Sequence, residues 1–129
     1  MTFSGPRVGQ LYSCAEQNRM HGGDLRSTLP SDKDGVRLIR FRLDKNLDGP
    51  RIIDHGPPKS PSNPTPERVK MLRRQSEALP VYRFTGNAAW EYLGRYRVQS
   101  ITDGGPKAVE RTKICGRPIR YAIRLEDAN

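Results

Sequence analysis

The stretch Trp90-Glu-Tyr-Leu-Gly-Arg-Tyr-Arg-Val98 alternates between two kinds of residue. One set of alternate positions holds the aromatic residues, a glycine and the valine, and the other set is mostly charged. A period of two is typical of a β-strand with one buried and one exposed face. Gly94, in the middle of the stretch, predicts a bulge or a place where another backbone comes close. We therefore expect the core of a small β-rich domain to pass through these residues.

Composition indicates a basic, folded domain. The 129 residues carry a net charge of +9, with 34% hydrophobic and 29% charged residues. This length predicts one domain, spanning residues 1–129. Most arginines and lysines occur singly along strand-like segments, which favours a folded surface with a positive face over a disordered basic arm. The expected partner is a polyanion, with nucleic acid before membrane.

Other features bear on compartment. The sequence contains no apolar run near the ~18 residues that a transmembrane helix requires, and the N-terminus lacks the apolar core of a signal peptide. Cys14 and Cys115 stand far apart and form no ligand spacing. We interpret them as reduced thiols of an intracellular protein.

The remaining segments predict an α+β fold of about six strands and two helices. Ser13 is expected to cap a short first helix that ends near His21, and Thr65 to cap a second helix with Pro66 in its first turn. A change of phase between Leu38 and Ile39 predicts a bend within a strand. We expect the strands to form a strongly curved sheet or small barrel, with turns or loops over residues 24–35, 44–50, 56–66, 85–89 and 102–106.

The sequence offers little support for catalysis or for a cofactor. His21 and His55 are isolated, and neither cysteine has a nearby ligand partner, so no metal site is predicted. A pair formed by Cys14 and His21 is less plausible than a buried thiol and a loop imidazole. Residues 103–106, Asp-Gly-Gly-Pro, lack the lysine of a phosphate-binding loop, and we expect them to open no helix.

Nucleic-acid binding has more support, because arginines alternate with apolar residues on at least three predicted strands. The simpler alternative is that 23 basic residues only solvate a small protein. However, 14 acidic residues would already contribute to solubility without such an excess. We expect these side chains to contact the DNA backbone or grooves: Arg26, Lys33, Arg37, Arg40, Lys59, Arg83, Arg95 and Arg97.

Several segments together resemble the SRA (SET- and RING-associated) domain. Residues 80–84, Pro-Val-Tyr-Arg-Phe, followed by residues 90–98, resemble the family's Pro-Val-Arg-Val-(Phe/Ile)-Arg-Gly strand and its Tyr-Asp-Gly-Leu-Tyr-x-Val segment. Upstream, residues 8–12 resemble the opening Val-Gly-x-x-(Phe/Tyr), and His21-Gly22 resembles part of its Gly-x-His. Residues 52–56 resemble its Tyr-Thr-Gly pocket segment. The match runs in the same order over residues 7–98.

The resemblance implies a PUA-like curved barrel that recognises modified cytosine in double-stranded DNA by flipping the base into a pocket. It places Asp44 among the acidic residues that accept from the cytosine amine. Arg42 stands where the family has a stacking Tyr, and Asp54-His55 stand where it has Tyr-Thr. These departures favour a polar modification, such as hydroxymethyl or glucosyl. The implied base pocket comprises Arg42, Asp44, Asp54, His55, Gly56, Tyr82 and Trp90.

In bacteria, such domains often serve as specificity modules of modification-dependent restriction systems, with a nuclease as a separate domain or subunit. No nuclease motif is present here. Two alternatives remain open at this stage. A PUA-like RNA-binding module would use the same basic sheet, with aromatic side chains stacking on bases. A protein-interaction module would instead present its basic face to an acidic partner.

Overall fold

The strand β7, Ala89–Asp103, forms the centre of the fold in this computed structural model, which describes residues 5–25 and 27–129. It pairs antiparallel with β6 on one side and β8 on the other. The sheet order is β4-β6-β7-β8-β5, β1 also pairs with β7, and the whole sheet curls into a half-barrel. Its strands are β1 Leu11–Tyr12, β4 Ile39–Phe41, β5 Ile52–His55, β6 Leu79–Gly86, β7 and β8 Tyr121–Asp127.

Two short strands and three helices complete the described part of the chain. Strands β2 and β3 form a separate antiparallel hairpin. The expected α+β class and curved sheet are confirmed, with one helix more than the sequence predicts. The bounds are β2 Ser31–Asp32, β3 Gly35–Val36, α1 Cys14–His21, α2 Thr65–Arg73 and α3 Gly105–Cys115.

The strand predicted over residues 90–98 is confirmed within β7, but the prediction of one continuous apolar face is wrong. Trp90 and Tyr92 pack with Tyr82, whereas Leu93, Tyr96 and Val98 pack on a different cluster, because a register shift interrupts the alternation. Val81 pairs with Gly94, whereas the next residue of β6, Tyr82, pairs with Tyr92, so Leu93 is the extra residue of a bulge. Gly94 has a φ of +114°, and a side chain there would collide with Asn129. The bulge expected at Gly94 is therefore confirmed, while the close neighbour is the side chain of Asn129 rather than another backbone.

The sheet buries residues on both faces. The main core lies inside the curl and includes Ile39, Phe41, Val81 and Ile123. A second, smaller cluster, formed by Leu38, Tyr82 and Tyr92 with Tyr12 and Trp90 packed against it, lies apart from the main core. Because successive side chains of a strand point to opposite faces, Arg40 of β4 points away from Ile39 and Phe41 and contacts α1. We call the side that α1 covers the outer face.

The two predicted helices form nearly where expected. Ser13 caps α1 in a reciprocal arrangement with Glu16, in which the hydroxyl accepts from the Glu16 N–H and the carboxylate accepts from the Ser13 N–H. In α2 the capping position is occupied by Pro64 rather than Thr65, which lies in the first turn. Val69 and Leu72 are the buried residues of this helix, as the sequence pattern predicts.

The helix α3 contradicts the expectation for residues 103–106, because Gly105 and Pro106 do begin a helix. Its N-terminus has no side-chain cap, and it ends at Gly116 in the left-handed region. The buried residues of α3 are Ala108 and Arg111, while Val109 and Ile114 are about half exposed. The usual apolar stripe of a surface helix is therefore missing, since a charged residue occupies the buried side.

Candidate nucleic-acid interface

Arginines from four segments gather around the link between α2 and β6, residues 74–78. Arg95 of β7 donates from Nη2 to the carbonyl of Ala78 over 3.0 Å, and Arg97 donates from Nε to that of Ser76 over 3.2 Å. Arg73 donates to the carbonyl of Ile101 over 3.4 Å. The first two bonds hold the Arg95 and Arg97 guanidinium groups on the link, and the third ties Arg73 to β7. With Arg37 and Arg74, they form a surface that we call the basic strip: Arg37, Arg73, Arg74, Arg95 and Arg97.

The link itself is held in place by Gln75. Its side-chain amide accepts from the N–H of Val36 and donates to the Val36 carbonyl, each over 2.8 Å, so it pairs with β3 as a neighbouring strand would. This contact requires glycine at position 35, because any side chain there would collide with the Gln75 amide. The same segment lines a shallow depression of about 260 Å³ with Lys33 and Arg74. Lys33 thus lies at the edge of the basic strip.

Most of the basic strip has no acidic partner. Four of its five guanidinium groups form no ion pair with any described residue, and only Arg37 does, with Asp32 at 3.6 Å. That pair is about 40% exposed on both sides, so water screens it and it contributes little. Exposed cations that donate only to backbone carbonyls keep further N–H groups for an anion. The strip is therefore chemically suited to phosphates.

A depression of about 230 Å³ opens between Arg37 and Arg95 at the end of α1. Its volume lies just below the 300–1,000 Å³ or so of sites that hold drug-sized ligands. His21, the last residue of α1, forms part of its lining, and Nε2 of His21 lies 2.8 Å from the Tyr82 hydroxyl. Its lining residues are Met20, His21, Val36, Arg37, Glu77, Ala78, Leu79, Pro80 and Arg95.

Burial and the neighbouring charges keep both His21 and Tyr82 in their neutral forms. Burial, together with the positive charges of Arg95 and Arg37, lowers the pKa of His21 to about 4. Burial also raises the pKa of Tyr82 above its ordinary value, and the neighbouring Tyr92 and Tyr12 add to this. At neutral pH the imidazole is therefore uncharged and the phenol is protonated.

A second feature lies further along the outer face, where β4 and β6 end and β7 begins. The Arg42 guanidinium lies 4.7 Å above the centre of the Phe84 ring, and the Phe84 and Trp90 rings are 4.9 Å apart and tilted by 60°. Both rings are partly exposed. We call Arg42, Phe84 and Trp90 the stacking end. An exposed guanidinium and aromatic surface of this kind can stack on a nucleobase.

Two other predicted residues accompany the stacking end. Asp44 is exposed and accepts from Arg42 Nε at 3.1 Å, which lowers the pKa of its carboxyl. Arg83 forms an ion pair with Glu91 on the neighbouring strand. Because Glu91 neutralises it, Arg83 is less available to a phosphate than the arginines of the basic strip.

Arg40 is placed differently from the expected contact with DNA. It is 1% exposed, and its guanidinium lies 5.9 Å from the Trp90 ring. Nε donates to the Gln17 amide oxygen over 2.7 Å, and Nη1 donates to the carbonyls of Leu25 and Ser27. Helix α1 and the segment after it cover β4 here, so alternation with apolar residues does not expose this arginine. Arg40 anchors α1 to the sheet instead.

Asp54 is also removed from the predicted base pocket. Its side chain is fully buried and accepts from Arg111 Nε and Nη2 over 2.9 and 2.8 Å. Asp48 accepts from the same Nη2 over 2.7 Å, and the Cys115 thiol donates to Asp54 over 3.3 Å. We call Asp48, Asp54 and Arg111 the anchor, since they tie α3 to β5. An aspartate with these partners cannot face a ligand.

The other predicted pocket residues of this segment are His55, the last residue of β5, and Gly56, which follows it. His55 Nδ1 is 3.5 Å from the Thr28 hydroxyl, and its Nε2 is buried without a hydrogen-bond partner among the described residues. Burial, followed by the charge of Arg117, lowers the pKa of His55 to about 4. A side chain on Gly56 would come close to the carbonyl of Pro118. His55 and Gly56 therefore pack against protein in this structure.

The structure thus divides the predicted residues into groups. Arg37, Arg95 and Arg97 lie in the basic strip with Lys33 beside it, and Arg42, Asp44 and Trp90 meet at the stacking end. Tyr82 is buried beneath α1 between them. Lys59 is exposed in the proline-rich loop, and Arg26 lies outside the described residues.

Sequence reasoning missed four contributors: His21, Phe84, Arg73 at the end of α2 and Arg74 directly after it. Phe84 carried a usable signal, because it alternates with Tyr82 and precedes the β6–β7 turn. Within the described residues, no group of three or more His, Cys, Asp or Glu side chains could hold a metal ion. No described helix is long and apolar enough to cross a membrane.

Comparison of the chain with protein-family models, curated proteins and solved structures gave no match.

Proposed function

We propose that this chain binds double-stranded DNA through the basic strip and inspects a modified base, a 5-substituted cytosine, at the stacking end. The observation that carries the proposal is that the exposed guanidinium groups of Arg73, Arg95 and Arg97 donate to backbone carbonyls and form no ion pair with any described residue. Phosphate contacts of this kind position a protein on a duplex, while contacts to bases provide specificity. The resemblance to SRA domains, with its nuclease partner in a modification-dependent restriction system, is consistent with this division of labour.

The stacking end supports base inspection for a physical reason. A flipped base loses a few kcal/mol of stacking and pairing, which the protein must return by stacking and hydrogen bonding. Phe84 and Trp90 present partly exposed rings, and Arg42 adds a planar cation with several donors. Asp44 is exposed and paired with Arg42, and its carboxylate oxygens have further lone pairs that can accept from an exocyclic amine. This site retains three of the predicted pocket residues and adds Phe84.

The deciding experiment measures fluorescence anisotropy with matched short duplexes that carry cytosine, 5-methyl-, 5-hydroxymethyl- or glucosylated cytosine, and with an RNA of the same sequence. We expect one modified duplex to bind most tightly, and a fluorescent base analogue at the target position to brighten. Replacing Phe84 by Ala should reduce the discrimination between modified and plain DNA by about 1–3 kcal/mol. Affinity for plain DNA should barely change.

The matched control is Val109→Ala, which removes an apolar side chain that is 57% exposed on α3. It should leave both affinity and discrimination unchanged. Equal affinity for all duplexes, with no brightening, would contradict base inspection and leave a non-specific DNA-binding protein. Tighter binding to the RNA would favour the PUA-like RNA-binding alternative.

A further inference from the structure

The depression between Arg37 and Arg95 has the chemistry of an anion site. The two guanidinium groups come from different parts of the fold, Arg37 from the link between β3 and β4 and Arg95 from β7. Each is held in place by a backbone carbonyl: Arg37 Nε donates to His21 over 2.9 Å, and Arg95 Nη2 donates to Ala78 over 3.0 Å. Their remaining N–H groups can converge on one small, multiply charged acceptor.

The titratable groups around His21 are few. Helix α1 contributes His21 itself, β6 contributes the buried Tyr82 hydroxyl, and Arg37 and Arg95 contribute positive charge. Glu77, just before β6, supplies a carboxylate in the lining, and its Oε1 lies 3.4 Å from the Gln75 amide. The imidazole therefore has two cations and one carboxylate as neighbours in the depression, and a neutral phenol behind it.

We propose that this depression binds one phosphate group of the nucleic-acid backbone between Arg37 and Arg95, and that His21 takes up a proton when the phosphate binds. The inference rests on the proposed function for the source of the phosphate, and it adds to that function a defined phosphate position and a dependence on pH.

The coupling follows from electrostatics. In the free protein, burial and the charges of Arg95 and Arg37 hold the His21 imidazole in its neutral form. A bound phosphate offsets those charges, so the protonated form becomes less unfavourable. The proton comes from solvent, no covalent bond between heavy atoms changes, and both ring nitrogens become donors. By linkage, affinity must then increase as pH falls through the raised pKa, and it must level off below the pKa of the free protein, about 4.

The first arm of the test uses sulfate, an anion that does not itself titrate in this range. The imidazole resonances of His21 and His55 are followed by NMR from about pH 3.5 to 8, with and without saturating sulfate. This range includes both the ordinary pKa of histidine and the lowered pKa of His21. We expect sulfate to raise the midpoint of His21 by about one pH unit or more and to leave His55 unchanged. In the Arg95→Gln variant, sulfate should change the midpoint of the His21 titration only slightly. Lys113→Gln, which removes an exposed charge on α3, is the matched control and should behave as the native protein does.

The second arm measures the affinity for an unmodified duplex over the same pH range. A shift of about one unit in the His21 midpoint corresponds to a tenfold increase in affinity at low pH. His21→Gln should bind DNA at pH 8 about as well as the native protein and should lose this increase. If His21→Gln fails to fold, the sulfate titrations of the native protein and of Arg95→Gln still decide the question.

The possible outcomes separate the two proposals. A sulfate-induced shift that requires Arg95, together with pH-dependent binding of DNA, supports both. Duplex binding without any shift of His21 by sulfate or DNA overturns the phosphate site and leaves the proposed function standing. A shift with sulfate but no duplex binding supports an anion site and overturns its assignment to a nucleic-acid backbone.

Discussion

Arginine has opposite surroundings in the anchor and in the basic strip. Arg111 is buried, donates to two aspartates, and has its pKa raised above the ordinary value mainly by its hydrogen bonds to Asp54. Arg95 and Arg97 are exposed and donate to backbone carbonyls only. The contrast shows that the arginines of this protein have two different roles. Part of it holds the fold together, and part of it is free for a polyanion.

The largest effect should come from breaking the anchor. Replacing Arg111 by Ala leaves the buried Asp54 carboxylate without its cation, which we expect to lower the free energy of unfolding by about 3–5 kcal/mol. Denaturant unfolding measures this change. As a control, Asp103→Ala breaks the exposed pair with Arg120 and should cost less than about 1 kcal/mol. Similar losses in the two variants would contradict a special role for the anchor.

Arg40 should give the next largest effect, because it is a buried arginine without a carboxylate partner among the described residues. Replacing it by Met keeps much of the volume but leaves the Gln17 amide oxygen and two carbonyls without their donor. Of these three bonds, the one to Gln17 is fully buried, and an unsatisfied buried acceptor costs about 1–3 kcal/mol. The two carbonyls are part-buried, so water can replace their donor. We expect a lower midpoint of thermal unfolding and an unchanged salt dependence of DNA binding. A reduced salt dependence would instead indicate that Arg40 contacts phosphate.

The basic strip should respond in the opposite way. The double replacement of Arg95 and Arg97 by Gln should change stability by no more than about 0.5 kcal/mol each, since both side chains are exposed. The slope of log affinity against log salt should fall in magnitude by about 2, one for each lost phosphate contact. Anisotropy titrations over a salt series measure it, with Lys113→Gln as the control. An unchanged slope would remove these arginines from the interface.

A further effect concerns pH, because each region contains one histidine of lowered pKa: His21 beside the basic strip and His55 next to Asp54. Both have pKa values of about 4 in the folded protein, against 6.5 ordinarily. Between these values the unfolded chain binds more protons than the folded one, so stability should decrease as pH falls from about 6.5 to 4. Above that window the two residues should contribute no slope. Thermal midpoints across this range, compared with those of His21→Gln and His55→Gln, assign the slope to each residue.

Much of the fold could be predicted because local signals agreed with the final packing. The period of two in β7 and the N-cap at Ser13 each depend on residues a few positions apart, so both could be located from the sequence. The helix α3 could not be predicted in this way, since it begins without a side-chain cap and buries Arg111. A charged residue on the inner side is favourable only because Asp54 and Asp48 come from distant segments.

The same limit applies to the candidate site. Arg37, Arg40 and Arg95 all alternate with apolar residues, and nothing in their local sequence separates them. Arg40 becomes buried because α1, through Gln17, covers that part of β4. Asp54 and Asp44 look alike as residues that end or follow strands, but only Asp54 meets a buried arginine. Which charges remain free depends on tertiary contacts that lie many residues apart in the sequence.

The strand β7 connects the stacking end to the basic strip and so fixes the distance between them. Trp90 and Arg95 are both on this strand, five residues apart, and at about 3.3 Å per residue their separation is roughly 17 Å. Successive nucleotides of one DNA strand are about 3.4 Å apart along the helix axis. A duplex that reaches both features must therefore span about five base-pair steps. In the proposed complex with DNA, the length of this strand, shortened somewhat by the bulge at Leu93, would set how many base pairs lie between the two contacts.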